Sequence, residues 1–592
     1  MRLPQNQGGY WVQFKSYIGN LWATFGVNLT EVQGKVRLAG RFMINTSSDT
    51  ALTGANGDAD LSTPIAFKRN VGAGATNWYC IGGGFIFVGT GVPNGAFTQD
   101  TASGTPTIGS ARADMALFNN LIYVSSGALT RLDSNGADWD AVTVTGNNTN
   151  GPFVIFANRL YFLGTTTLKE IWSMNTSETV AESSTNTINL ANASTFSVSS
   201  VICGVATNNH IWYGTLSENE NGLGVVFQWD GVSSSTVNAY VLPTYGMLAM
   251  TVRDNTPWGM DTEGVLRRFN GQVFEEMARL PKKKGKLFKS PFAAATARLI
   301  HYNGMFTRGE SIFMLINAAY SDSTGNNEEN IPSGVWEYND TNGLHFVGPL
   351  SLWVNGTTTD ATDFGSFNLN GVGALVDAQT VDTTASTNGD MLAGATYFKD
   401  ATTTKDAIFL NDRNDTKQKA GYIVTDKIFS PQVKESWNNL IIRLRKLLTA
   451  TDKLIVKYRV SEDDPIHFTG TWTSTTTFTT TTDISAYAGY EVEVLNGVGN
   501  GRLSHITSVT GSGTYTATVD ETYTGATGTF KGRLQNWKKS SSFANQTDEA
   551  PEFPLSDLGA SNWIMLKIWL VTTGRGEIHD LLLANETNQK IK

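Results

Sequence analysis

A motif recurs between residues 118 and 345, and it limits what this chain can fold into. An alternating apolar stretch comes first, then a gap of small residues. A second stretch then ends in an aromatic or apolar residue, Asn or Asp, and often Gly. Phe118-Asn119-Asn120-Leu121-Ile122-Tyr123 runs to Arg131-Leu132-Asp133, and Phe156-Ala157-Asn158-Arg159-Leu160-Tyr161-Phe162 runs to Trp172-Ser173-Met174-Asn175. Asn208-Asn209-His210-Ile211-Trp212-Tyr213 runs to Phe227-Gln228-Trp229-Asp230-Gly231, and further endings are Arg268-Phe269-Asn270-Gly271 and Trp336-Glu337-Tyr338-Asn339-Asp340. These endings lie roughly 40 to 70 residues apart, and the lower end of that range is the period of a propeller blade.

Each stretch alternates because successive strand side chains point to opposite faces. The bulky positions are β-branched or aromatic, which suits a pleated, half-buried surface. Asn-Gly and Asp-Gly tolerate positive φ in tight hairpins. A four-stranded unit of this kind cannot bury both its faces alone. Stacked radially, each unit covers the next and leaves only short edges. The pattern predicts an all-β chain with a β-propeller of about six to eight blades; a generic antiparallel sandwich is the competing fold. The uneven spacing requires insertions, as between residues 317 and 333.

At 592 residues the chain is too long for a single core. Residues 1–50 read as an N-terminal segment or arm and 51–419 as the propeller. Residues 420–465 with 538–592 read as an antiparallel β-sandwich, and 466–537 as a small β domain inserted at a loop tip. The aromatic N-terminal stretches, Tyr10 to Phe14 and Leu21 to Phe25, fit either a docking arm or a strand that closes the propeller on its last blade. Trp78 to Ile81 and Phe85 to Val88 flank three glycines as a hairpin, and residues 352–392 read as loop-heavy. Leu440 to Leu447 fits a strand better than an amphipathic helix, because Lys453 to Val460 follows after a turn and alternates cleanly.

Composition narrows the chemistry. There are 59 glycines and only 16 % charged residues, and no apolar run is long enough to cross a membrane as a helix. No apolar signal segment or membrane anchor is expected. Two cysteines, Cys80 and Cys203, cannot build a disulfide framework or a four-cysteine zinc site. The net charge of −9 disfavours nucleic-acid binding by charge alone but suits a wall past which DNA slides.

No sequence motif carries catalysis or a cofactor. The six histidines are scattered, there is no nucleophile elbow, and Gly82-Gly83-Gly84 lacks the lysine and helix start of a phosphate loop. Asp133, Asp230, Asp254, Asp261 and Glu263 sit at blade turns. Two of them converging would suit glycoside hydrolysis, but turn aspartates ordinarily cap their own turns. Asn411-Asp412-Arg413-Asn414-Asp415 lacks the Gly and distal Glu of a calcium loop. No metal, cofactor or catalytic residue is expected. Lys282, Lys283, Lys284 and Lys286 form the one basic cluster, either a solvated loop or a contact for DNA phosphates or an acidic partner.

A propeller with aromatic–Asn/Asp–Gly turns, followed by Lys427-Ile428-Phe429-Ser430-Pro431 and the strand-rich stretch Lys453 to Val460, resembles the propeller-bearing tail hub or nozzle proteins of short-tailed bacteriophages. The resemblance is one of architecture and order along most of the chain; the N-terminal aromatic segment and the Thr-rich insertion depart from it. It implies a non-enzymatic virion component, made in the bacterial host cytoplasm. It further implies a homo-oligomeric ring, usually of six copies, below the portal and adaptor. Such a ring surrounds the channel through which DNA leaves, without sequence-specific binding, and offers attachment sites to fibres or spikes. Two other classes stay open. A receptor-binding protein would hold host glycans on its Thr-rich insertion, with Trp472 the expected contact. A propeller hydrolase would act on surface polysaccharide through a converging aspartate pair.

Overall fold

The computed structural model describes short strands within residues 2–44, most of 63–280 and 290–350, and most of 369–585; residues 45–62, 281–289, 351–368 and 586–592 lie outside the described set. Nearly all regular structure in it is strand.

Seven antiparallel units, six of four strands and one of five, follow one another among the described residues. Their innermost strands are Ala66–Arg69, Asp114–Phe118, Asn150–Phe156, Val198–Ala206, Met247–Arg253, Met305–Arg308 and Leu369–Asp377. They are numbered blades 1 to 7 in that order. The chain is a β-propeller, with a blade number inside the expected range. The hairpin at Trp78–Gly82 and Phe85–Gly89 lies in blade 1 as expected. Blade 6 carries the insertion the spacing demanded, which includes a small hairpin of Ala319–Ser321 with Asn327–Glu329.

The tight turns after the inner strands explain the motif. Asn119 and Asn120 have φ of 49° and 62°, Ala157 and Asn158 of 46° and 58°, and Asp254 and Asn255 of 51° and 57°. Two successive residues at positive φ match the twist of a two-residue hairpin. The Asx residues at the other end of the motif cap the outer turns. Asp133 accepts from Ala137 N at 2.9 Å, and Asp230 from Val232 N and Ser233 N at 2.8 Å each.

Neighbouring blades are latched by polar bonds as well as by packing. Trp139 of blade 2 donates Nε1 to Asp100 beside blade 1 at 2.8 Å. Tyr161 of blade 3 donates to Gly231 O of blade 4 at 3.0 Å, its ring edge-on to Trp229. Arg253 of blade 5 binds Asp340 of blade 6 at 2.6 Å while its guanidinium lies 4.3 Å from the Trp258 ring centroid. Arg308 of blade 6 grips Asp377 of blade 7 with two bonds, 3.0 and 2.7 Å.

The ring is closed by chain from before blade 1. Phe42–Ile44 forms the outermost strand of blade 7, paired with Thr404–Asp412. The strand that closes the ring is thus Phe42–Ile44, whereas the aromatic stretch Leu21 to Phe25, read as a candidate for that role, pairs elsewhere. On the inner side, Pro64 lies so close to blade 7 that a Cβ at Gly373 would stand 1.9 Å from Pro64 O, and one at Gly394 2.0 Å. Thr63 and Thr396 share a buried 2.6 Å hydrogen bond across the same seam. Leu369–Asp377 falls within the stretch that reads as loop. Its glycines are there because the backbones touch, not because the chain turns.

The earlier part of the N-terminal segment joins the C-terminal region. Leu21–Phe25 pairs with Ala420–Thr425, and Val36–Leu38 and Arg2–Leu3 pair with Glu577–Asn585. Residues 10–14 lie outside the described set. Two C-terminal sheets share one apolar cluster. Leu454, Val456, Leu566 and Ile568 come from one sheet, and Leu440, Ile442, Phe553 and Ile578 from the other. Glu435–Lys446 is a strand, as its alternation predicts.

Residues 466–544 include a closed barrel. Ile466–Trp472, Thr477–Thr480, Tyr515–Val519, Leu503–Thr510, Tyr490–Gly497 and the first half of Gly528–Ala544 pair in that order, and the last returns to the first. Gly528–Ala544 is 17 residues long, and its second half continues into the C-terminal sheet beside Lys453–Arg459. One strand thus belongs to both modules.

Candidate functional site

Two buried polar clusters stand out from a core that is otherwise apolar. The first lies on the propeller axis. The chain leading into blade 6 carries Leu299 and Ile300, both fully buried, and then reaches across the ring. Tyr302 donates its hydroxyl to Ala113 O beside blade 2 at 2.9 Å. Asn303 donates Nδ2 to Asp114 Oδ1 at 2.8 Å and to Ile65 O, beside blade 1, at 3.1 Å. Leu375 N of blade 7 binds Asn303 O at 2.9 Å. In a ring of seven, blades 6 and 2 are three steps apart, so these bonds cross the centre. Asp114 also accepts from Phe153 N of blade 3 at 2.8 Å. Burial raises its pKa, and the bonds from Phe153 and Asn303 oppose that rise. Arg112 spends its guanidinium on Val201 O and, at 3.3 Å, on Ser200 Oγ, both in blade 4. The centre of the propeller is therefore filled by the chain's own residues where these groups meet.

The second cluster lies where the barrel meets the C-terminal sheet. Lys567, Lys457 and Lys539 stand opposite one another on three neighbouring strands. Three like charges in a cross-strand row repel. The barrel supplies the opposing charge. Glu491, fully buried on Tyr490–Gly497, accepts from Lys457 Nζ and, at 2.9 Å, from Lys567 Nζ. Asp520 accepts from Lys539 Nζ at 2.8 Å and from the backbone N of His505 at 2.7 Å. Lys567 Nζ also lies 4.8 Å from the Tyr422 ring centroid and 5.6 Å from that of Trp537.

Burial by itself would raise the Glu491 carboxyl, but Lys457 and Lys567 outweigh it and hold the group well below the usual carboxylate range. Asp520 is lowered in the same way, burial being overcome by His505 and Lys539. Burial lowers Lys457, against the attraction of Glu491. Burial, then Lys457, pushes His505 down to about 4.

This cluster was not anticipated. In Trp563–Val571 the residues Ile564, Leu566, Ile568 and Leu570 enter the shared C-terminal cluster, while Met565 packs against the propeller. Lys567 lies on that second face and reads as solvent-facing until the barrel is known to cover it. It is only 4 % exposed, and Lys457 5 %. The available signal was the aromatic neighbourhood, since Trp569 and Tyr422 flank lysines that would otherwise be free in water.

The sequence-derived candidates fare differently. Lys282, Lys283, Lys284 and Lys286 lie outside the described residues. Trp472 does not present a face to a sugar: it is 2 % exposed, stacks on Phe530 at 5.1 Å and donates Nε1 to Val498 O at 3.0 Å. The glycan-contact role expected of it is corrected, because a barrel of this size fills its interior with side chains. Asp133 and Asp230 bind their own turns, as does Asp261, whose second oxygen accepts from Arg267 Nε at 2.7 Å. Cys80 and Cys203 are buried thiols. Among the described residues no group of three metal-ligating side chains is placed to hold an ion. No described helix is long and apolar enough to cross a membrane.

No protein-family model matches the chain, and no curated protein matches it. Among solved structures the chain is similar to the structure of U3-55K, with 9 % identity and a TM-score of 0.38 over 61 % of this chain and 97 % of that one. It is also similar to the crystal structure of the computationally designed Ika8 protein, with 12 % identity and a TM-score of 0.32 over 60 % of this chain and 99 % of that one. The blade count follows from strand pairing alone.

Proposed function

We propose that this protein is a structural, non-enzymatic component of a phage tail. In this reading it is a hub or nozzle that assembles into a ring around the DNA exit channel and offers surfaces to fibres or spikes. One observation carries the reading: the chain's buried charge ties its modules together. Glu491 joins barrel to sheet, and Asp114 with Asn303 joins blades across the axis. A buried ion pair that is broken by losing one partner costs about 3–5 kcal/mol, so the Glu491 link holds barrel and sheet in one arrangement. A part that must keep its shape while a genome passes needs that property.

The filled propeller axis supports the same assignment. DNA would pass through a lumen between copies, not through the wheel of blades. A closed ring requires heterologous interfaces whose rotation returns to the start. The portal or adaptor on one side and fibres or spikes on the other are the expected partners, in the virion. The test is mass measurement of the purified chain and of purified particles. A closed oligomer present in particles supports the proposal, and a strictly monomeric chain absent from particles contradicts it.

A further inference from the structure

We propose that copies of this chain join head to tail through the two faces of blades 3 to 5, a contact that rests on the ring reading above. Eight large apolar side chains stand exposed among the described residues, and seven of them belong to blades 3 to 5 or to the chain leaving blade 5. Because successive strands run antiparallel, the first and third turns of every blade lie on one face of the wheel and the remaining connections on the other. Four of the seven sit on those connections. Phe196 leads into Val198–Ala206 and Leu223 into Val225–Trp229, Val241 ends the outermost strand of blade 4, and Phe292 follows blade 5. Hydrogen bonds make them neighbours. Leu242 N donates to Gly224 O at 2.8 Å, which sets Leu223 alongside Val241. Val198 pairs with Ser217, whose N donates to Tyr245 O at 2.8 Å, and the Tyr245 ring lies 6.1 Å from that of Phe292.

The other three lie on the opposite face. Ile155 precedes the first turn of blade 3, while Val232 and Val273 occupy the third turns of blades 4 and 5, each 56 % exposed. Tyr161 donates to Gly231 O at 3.0 Å, and a Cβ on Gly231 would stand 3.0 Å from the Phe156 ring, so Val232 adjoins the Ile155 turn. Asn208 N donates to Asn255 Oδ1 at 2.7 Å and ties this face of blade 4 to blade 5. Single exposed apolar side chains are ordinary, but grouped ones rimmed by polar residues mark an interaction site. Two dissimilar apolar groups on opposite faces of one sector select the occupant. A twofold dimer would pair one group with itself and leave the other in water. A second copy placed head to tail covers both, and such a contact closes into a ring when its rotation returns to the start. Stacked this way, the wheels follow one another around the ring wall and the lumen lies between copies.

Cys80 and Cys203 are buried, so a flexible bis-maleimide reagent joins only introduced surface thiols. In the full-length chain, Leu223→Cys combined with Val232→Cys should give a ladder of covalent oligomers up to the ring size. The two single variants, co-expressed, should give dimers and no longer products, and each alone should give none. Leu223→Glu should turn the native mass from ring to monomer with an unchanged melting temperature. If it does not fold, Val273→Glu on the opposite face takes its place. A wild-type ring that Leu223→Glu leaves intact, and that the double variant fails to cross-link, would overturn this inference while the ring reading stands. Self-linking by either single variant would overturn it in favour of a twofold contact. A wild-type chain that is monomeric and absent from particles would overturn both readings.

Discussion

Lys567 donates to Glu491 across the boundary between two modules, Nζ to Oε1 at 2.9 Å, while Lys457 on the paired strand holds the other oxygen. One carboxylate thus neutralises two lysines that face each other, and it comes from a different module. Glu491→Gln removes the charge but nearly keeps the shape. It leaves both lysines buried and repelling, and should cost about 3–5 kcal/mol in urea unfolding. Replacing all three by apolar residues of similar size, Lys457→Met with Glu491→Leu and Lys567→Met, should recover most of that loss. If the single variant is as stable as the wild type, the junction is not held by this charge.

Acid should loosen the same junction and the propeller axis. His505 and His301 have folded pKa values pushed down to about 4 and about 3 from an ordinary 6.5, with burial the main cause of each. The unfolded chain therefore takes up protons first as pH falls. Stability from the two neutral histidines is complete above about pH 6.5 and is lost as pH drops toward their folded values. The slope is up to about 1.4 kcal/mol per pH unit for each. Glu491 and Asp520, both lowered, add a further loss below the ordinary carboxylate range. Denaturant midpoints at pH 7.5, 5.5 and 4.5 should fall in that order, and His505→Gln should flatten the upper part of the fall.

The propeller seam makes a sharper steric prediction. Gly394→Ala would put a methyl 2.0 Å from Pro64 O, in backbone that cannot swing aside. Gly271 also resists a side chain, at φ +99°, but nothing lies within 4 Å of its Cβ position. Gly271→Ala should cost about 1–3 kcal/mol through local strain alone. Gly394→Ala should cost more and should expose the blade 1–blade 7 seam to proteolysis, which limited digestion reads directly.

Trp472→Ala should act as a core mutation. Removing a ring packed among Phe468, Phe478 and Phe530 should destabilise the barrel by about 3–5 kcal/mol in a melting experiment. Loss of host adsorption with unchanged stability would restore the glycan reading.

These outcomes mark what the sequence could and could not convey. The blades were legible because several share one pattern: an Asx-containing hairpin turn, as at Asn119-Asn120, Ala157-Asn158 and Asp254-Asn255, then alternating strands. The closing strand was not located: the aromatic stretch Leu21 to Phe25 drew the reading, while the short Phe42–Ile44 closes the ring. Leu369–Asp377 was not, since Gly371 and Gly373 imitate a loop when only strand contacts across the seam explain them. Trp472 was misassigned although the phase was present: Phe468, Gly470 and Trp472 point inward, while Thr469 and Thr471 face solvent. The lysine cluster was hidden because alternation along Lys453–Arg459 says which face a side chain takes, but not what covers that face. Barrel closure depends on the first half of Gly528–Ala544 pairing on both edges, with Ile466–Trp472 and Tyr490–Gly497, and pairing of that kind leaves no local mark.

The central proposal is that this chain acts as a shape-holding ring subunit of a tail. Imaging of purified virions, combined with native mass spectrometry of the purified full-length chain, tests it most directly. The account predicts a closed ring of copies encircling the exit channel, each with its propeller axis filled. A solitary chain missing from the particle, or one whose propeller axis holds the DNA, would contradict it.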